Sequence, residues 1–109
     1  MAEMPPGMLR EAMSGPRLRL LHRRAVAAIE HHNPNDLEAL AYHTSQAGDD
    51  ARALGYLERA GERALSVYAN QEAERHFSSA LDLCALDDTL AEGVRGPLLA
   101  GLGEALYRQ

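Results

Sequence analysis

The groups in this 109-residue sequence that could do chemistry are five histidines, sixteen carboxylates, one cysteine and eleven basic residues, all of them arginine. His22, His31, His32, His43 and His76 could each offer a neutral imidazole to a metal ion. Their spacing fits no ligand motif: His31 and His32 are adjacent and leave a helix about 100° apart, and no HExxH pair or cysteine cluster accompanies them. All five read as surface or helix-end histidines, with His31 and His32 favoured by the negative end of a helix dipole. No metal is expected. Glu58, Glu62, Glu72 and Glu74 could suggest acid–base work, but no Gly-rich loop or organised base stands near them. They read as helix-surface charges with Arg59, Arg63 and Arg75 as partners, each pair contributing only tenths of a kcal/mol. Without Lys, the chain has no P-loop lysine, Schiff-base amine or lysine nucleophile. The reading is noncatalytic, with no cofactor.

Arg17, Arg19, Arg23 and Arg24 form the one basic cluster. It reads first as a solvated helix face and, as a binding surface, suits an acidic protein better than nucleic acid. No aromatic side chain is interleaved for base stacking, and the net charge of −5 repels a phosphate backbone. A nucleic-acid-binding adaptor using these arginines is the alternative reading. The charge is uneven: residues 1–35 carry five Arg against three Glu, and residues 36–109 carry six Arg against thirteen acids. Cys84 has no internal disulfide partner and reads as a core thiol. No stretch has the length of a signal peptide's apolar segment or the roughly 20 apolar residues of a membrane span, so the chain reads as cytoplasmic with no membrane partner.

The elements that must position these groups are helices. Ala and Leu dominate, Trp is absent, and nothing alternates with period two over a useful length, so no sheet is expected. Residues 1–13 are expected to be a flexible lead-in or a short helical turn, the turn at Met8–Met13. Ser14, Gly15 and Pro16 start a helix to about His31, with Leu18, Leu21, Ala25, Ala28 and Ile29 as its apolar face. Asn33, Pro34, Asn35 and Asp36 break the chain, and Asn35 or Asp36 caps a second helix that buries Leu37, Leu40, Ala41 and Thr44. Gly48 stops that helix and Asp49 caps the next. From Asp50 to about Ala69 the apolar positions are Ala53, Leu54, Leu57, Ala60, Ala64, Leu65 and Tyr68, with Gly61 marking a close helix contact or a slight bend. Asn70 caps a fourth helix with the stripe Ala73, Phe77, Ala80, Leu81 and Cys84. Asp87 and Asp88 turn the chain, and Thr89 with Glu92 fits a capping box. The last helix carries Leu90, Val94, Leu98, Leu99, Leu102 and Leu106, and Gly96–Pro97 should kink or divide it.

Gln46–Ala47–Gly48–Asp49, followed by Ala53, Leu57 and Ala60, resembles the turn and second helix of a tetratricopeptide repeat, with Leu37, Leu40, Ala41 and Thr44 at first-helix positions. Leu99, Leu102, Gly103 and Leu106 resemble a further first helix that is cut off at Gln109, so the helical domain, residues 14–109, is expected to be incomplete. Ala73, Phe77 and Ala80 repeat Ala53, Leu57 and Ala60 after 20 residues, short of the usual period of about 34, so one helix should serve two hairpins. Together with Leu21–Ala25, Ala41–Asp49, Tyr56–Leu65 and Tyr68–Ala73, the chain resembles the helical region behind the ATPase module of large bacterial regulators, adenylate-cyclase-like or LuxR-type. The resemblance implies an all-α fold of antiparallel tetratricopeptide-like hairpins in a short right-handed solenoid. It also implies a protein-interaction or relay role toward a protein partner or a neighbouring domain. If first helices line a concave groove, Asn35, Glu38, Tyr42, Ser45 and Gln46 are the contact residues, followed by Glu104, Tyr107 and Arg108. An exposed face of Leu98, Leu99, Leu102 and Leu106 would make a homo-oligomer.

Overall fold

The computed structural model describes residues 15–109, which among themselves form six helices and no strand. These are α1 (Gly15–His32), α2 (Leu37–Gln46), α3 (Asp50–Ser66), α4 (Asn70–Leu86), the single turn α5 (Asp88–Ala91) and α6 (Arg95–Tyr107). The turn expected at Met8–Met13, and Ser14 at the expected helix start, lie outside the described residues.

The breaks follow local chemistry. Asp36 caps α2 by accepting from the Ala39 amide at 3.2 Å, and Leu37, Leu40, Ala41 and Thr44 are buried as expected. Thr44 can sit there because its hydroxyl donates to the Leu40 carbonyl at 2.6 Å, leaving no orphan donor. At Gly48 the backbone turns left-handed (φ +84°), the Gly48 amide reaches the Ser45 carbonyl and the Asp49 amide reaches Thr44. This pair of bonds is the Schellman closure that satisfies a helix's last carbonyls. Gly48→Ala is expected to lower stability by about 1–2 kcal/mol, because a Cβ in that conformation crowds the following carbonyl; a thermal melt measures it.

The same closure recurs 20 residues later without a glycine. Tyr68 takes φ +59°, its amide bonds the Leu65 carbonyl, and the Ala69 amide bonds Ala64. So α3 ends at Ser66, three residues before the expected Ala69, and Tyr68 is exposed rather than part of the apolar stripe. The Arg108 guanidinium lies over its ring at 5.1 Å and offsets part of the conformational cost. The turn also corrects the next cap. Ala69 takes the place that Asp49 has before α3, has no side-chain oxygen, and leaves Asn70 as the first helical residue, its Oδ1 buried and unpartnered.

Asp87 caps α5, accepting from the Thr89 amide at 2.9 Å and its hydroxyl at 2.6 Å, and the Thr89 hydroxyl holds this carboxyl below its usual range. Thr89 is thus donor rather than cap, and the box with Glu92 does not form. The last helical segment divides at Gly93 (φ +78°) instead of at Gly96–Pro97. Gly96 and Pro97 fall in the first turn of α6, where a missing N–H costs nothing.

Two stripes differ from expectation. In α1 the inward side is Leu18, His22, Ala25, Val26 and Ile29, while Leu21 and Ala28 face solvent. The true face is rotated toward His22, a residue that hydrophobic spacing ignores. In α6, Leu98 is fully buried and Leu102 half-buried, leaving only Leu99 and Leu106 half-exposed, so the expected four-leucine face does not exist.

Helices pack mainly on their neighbours in sequence: α1 on α2, α2 on α3, α3 on α4, α4 on α5 and α6. The described structure is elongated, 57 × 29 × 27 Å, with a radius of gyration of 16.2 Å against about 12–13 Å for a compact chain of this size. α3 contacts both α2 and α4 through small residues. Ala53, Ala60 and Ala64 are buried, as are Ala73, Ala80 and Cys84 twenty residues on. Phe77, 2% exposed, is the largest buried side chain and fills the space between Gly61 of α3 and Gly101 of α6. Gly61 is thus a close helix contact. No helix among the described residues is long and apolar enough to cross a membrane.

Candidate functional site

Capping fixes the start of α2, and its buried side fixes which residues face outward. With Leu37, Leu40, Ala41 and Thr44 inward, Glu38, Tyr42, Ser45 and Gln46 rise along the flank nearest α4. On α4, the inward positions Ala73, His76, Phe77 and Ala80 carry His76 to the same place, and Arg75 stands beside it at the rim.

The two helices meet across Glu38. One of its carboxylate oxygens accepts from Arg75 Nη2 at 3.1 Å, and His76 Nε2 stands 3.1 Å from the same oxygen. His76 is 7% exposed, whereas Arg75 and Glu38 are open to water. This contact is a ridge between two cavities that both count Glu38 and His76 among their walls. One, of about 380 Å³, is also lined by Asn33, Asn35, Asp36, Arg63, Val67 and Glu72. The other, of about 320 Å³, is lined by Tyr42, Ser45, Gln46, Leu57 and Arg75. Leu57 is half-buried, packs against the core cluster and lines this cavity.

Asn35, Glu38, Tyr42, Ser45 and Gln46 are therefore brought together on one divided groove. Glu104, Tyr107 and Arg108 are not part of it. Arg108 donates to the Leu65 carbonyl at 3.0 Å and to Glu104, and Tyr107 is 90% exposed at the end of α6. Sequence reasoning missed Arg75, His76, Arg63 and Glu72. The usable signal was His76's place in the inward run 73, 76, 77, 80, which reads as a buried imidazole once Phe77 is recognised as core.

The histidines as a class need correction. Besides buried His76, His22 of α1 and His43 of α2 are half-buried against each other, their Nδ1 atoms 2.8 Å apart and ring centroids 5.1 Å apart. The ring of Tyr42 meets both edge-on, at 5.8 Å from His22 and 5.0 Å from His43. Burial, and then the charge of His22, push the His43 imidazole below its ordinary value. His31 and His32 are exposed helix-end residues. Among the described residues no group of three or more His, Cys, Asp or Glu could hold a metal ion.

Chemically the groove offers an aromatic ring and a Leu side chain for apolar contact, and amide and hydroxyl groups for hydrogen bonding. It also offers two exposed cations, Arg75 on the Glu38 carboxylate and Arg63. Groups of these kinds can fix the orientation of a bound molecule. No protein-family model, curated protein or solved structure matches the chain.

Proposed function

We propose that the chain is a noncatalytic, tetratricopeptide-like interaction or relay module of a larger signalling or transcriptional regulator. Its groove between α2 and α4 takes an extended segment of a protein partner or of a neighbouring domain. The observation that carries the reading is the convergence of Asn35, Glu38, Tyr42, Ser45 and Gln46 on two adjoining cavities.

The repeat reading draws support from the 20-residue correspondence of backbone and burial. The turns at Gly48 and Tyr68 close with the same bonds, and Ala53 and Ala60 are matched by Ala73 and Ala80. α3 packing on both α2 and α4 agrees with one helix serving two hairpins. A peptide lying along the groove would place apolar side chains on Tyr42 and Leu57 and its backbone within reach of Ser45, Gln46 and Asn35. The nucleic-acid alternative has less behind it, since the net charge of −5 repels a phosphate backbone and no aromatic side chain is interleaved with the α1 arginines.

Tyr42 is 56% exposed and its ring meets His22 and His43 edge-on, so Tyr42→Ala should cost about 0.5–1.5 kcal/mol and leave the chain folded. Affinity for peptides selected from a random displayed library should fall about tenfold or more, as for an aromatic anchor. Calorimetry on parent and variant makes the comparison, and unchanged affinity would remove the groove from the account.

A further inference from the structure

We propose that His22 and His43 form a proton-gated clasp that holds α1 on α2. The clasp is closed while one ring nitrogen of the pair stays unprotonated, and it opens when a second proton makes both rings imidazolium.

The geometry sets the rule. With Nδ1 atoms 2.8 Å apart and centroids at 5.1 Å, the rings meet end to end, nitrogen against nitrogen. One Nδ1–H must donate and the other Nδ1 must accept. A neutral pair satisfies this, and so does a singly charged pair, whose bond is charge-assisted. Two imidazolium rings cannot: two N–H groups would face each other, with two like charges at hydrogen-bond distance. The same end-to-end arrangement aims the lone pairs at each other instead of at a common third point, which suits a proton rather than a metal ion.

The surroundings do not rescue the doubly charged state. On α1, Arg19 and Arg23 flank His22 in sequence, and the Arg19 stem reaches Gly48 at the end of α2. On α2 the neighbour is Tyr42. α3 supplies Arg52, already engaged by Glu30 of α1 and Asp49. Among the described residues no carboxylate lies within ion-pair distance of either ring. The pair also sits where docking is thin. α1 buries only Val26 fully, with Leu18, Ala25 and Ile29 half-buried, and Glu30 adds polar contacts to Arg52 and Tyr56. The lowered His43 value agrees in sign. The unfolded chain takes protons near its ordinary histidine value of about 6.5, and the docked pair resists the second. Docking is therefore fully stabilised above about pH 6.5 and loses that contribution as pH falls below it.

Amide hydrogen exchange followed by NMR, corrected for intrinsic rates, reads α1 docking directly. Between about pH 7.5 and about pH 5, protection over 18–29 should fall about tenfold relative to protection over 73–84 in α4. The Cε1 protons of His22 and His43 should titrate in two separated steps, as a coupled pair does. The double variant His22→Gln/His43→Gln keeps a neutral amide pair and should hold α1 equally at both pH values. Protection of α1 that tracks α4 throughout, single-step titration of two independent rings, or a double variant that keeps the pH response would each overturn the clasp. If the double variant does not fold, the titration and exchange of the parent chain decide alone.

Discussion

Phe77→Ala is expected to lower stability by about 3–5 kcal/mol, the usual cost of removing a buried aromatic ring. Domains of this size hold about 5–15 kcal/mol in total, so the loss takes away much of the reserve. The ring lies between α3 and α6, with the backbones at Gly61 and Gly101 close on either side and Leu54, Leu98, Cys84 and Ala105 in the same cluster. Three helices would have to move together to close the space. Most other core side chains here are alanines, which cannot reach into it. Urea unfolding followed by circular dichroism measures the loss. A cost below about 1 kcal/mol, typical of a surface substitution, would mean that Phe77 is not the pin of this core.

Gly61→Ala and Gly101→Ala should each destabilise, although Ala is the better helix former by about 1 kcal/mol. A Cβ at Gly61 would stand 2.7–2.9 Å from Phe77 ring atoms, and one at Gly101 would stand 2.5–2.8 Å from the same ring. Moving the ring away from one glycine drives it toward the other. Overpacking of this kind costs about 1–3 kcal/mol, so the net effect of either change is destabilising, and the double variant should fall hardest. Gly55 and Gly103 provide the contrast, since an added Cβ there meets nothing within 4 Å. Gly55→Ala and Gly103→Ala should raise stability by about 0.5–1 kcal/mol. In the background of both clashing alanines, Phe77→Leu should recover part of the loss, a coupling expected only of residues in contact. If all four glycines respond alike, the packing around Phe77 is not as described.

How much of this was legible depended on whether a residue type announces its conformation. Asn33–Asp36 and Gly48–Asp49 carry their own turn and cap chemistry, and α2 and its inward face follow from them. Tyr68 adopts the glycine conformation with no glycine to signal it, so the end of α3 and the cap of α4 were misplaced together. In α1, Leu20 and Leu21 stand outside while His22 points in, a choice made by the fit against His43 and by nothing in hydrophobic spacing. The site divided the same way. Its α2 half followed from one helix's inward stripe. Its α4 half, Arg75 and His76, depends on how closely α2 and α4 approach across α3, and the small side chains between them set that distance.

Chemical-shift mapping of a library-selected peptide bound to isotope-labelled protein tests the proposed groove most directly. The largest changes should fall at Asn35, Glu38, Tyr42, Ser45 and Gln46 of α2 and at Arg75 and His76 of α4, with Glu104, Tyr107 and Arg108 unmoved. Changes concentrated on α6 or on the arginines of α1, with the α2–α4 groove silent, would contradict it.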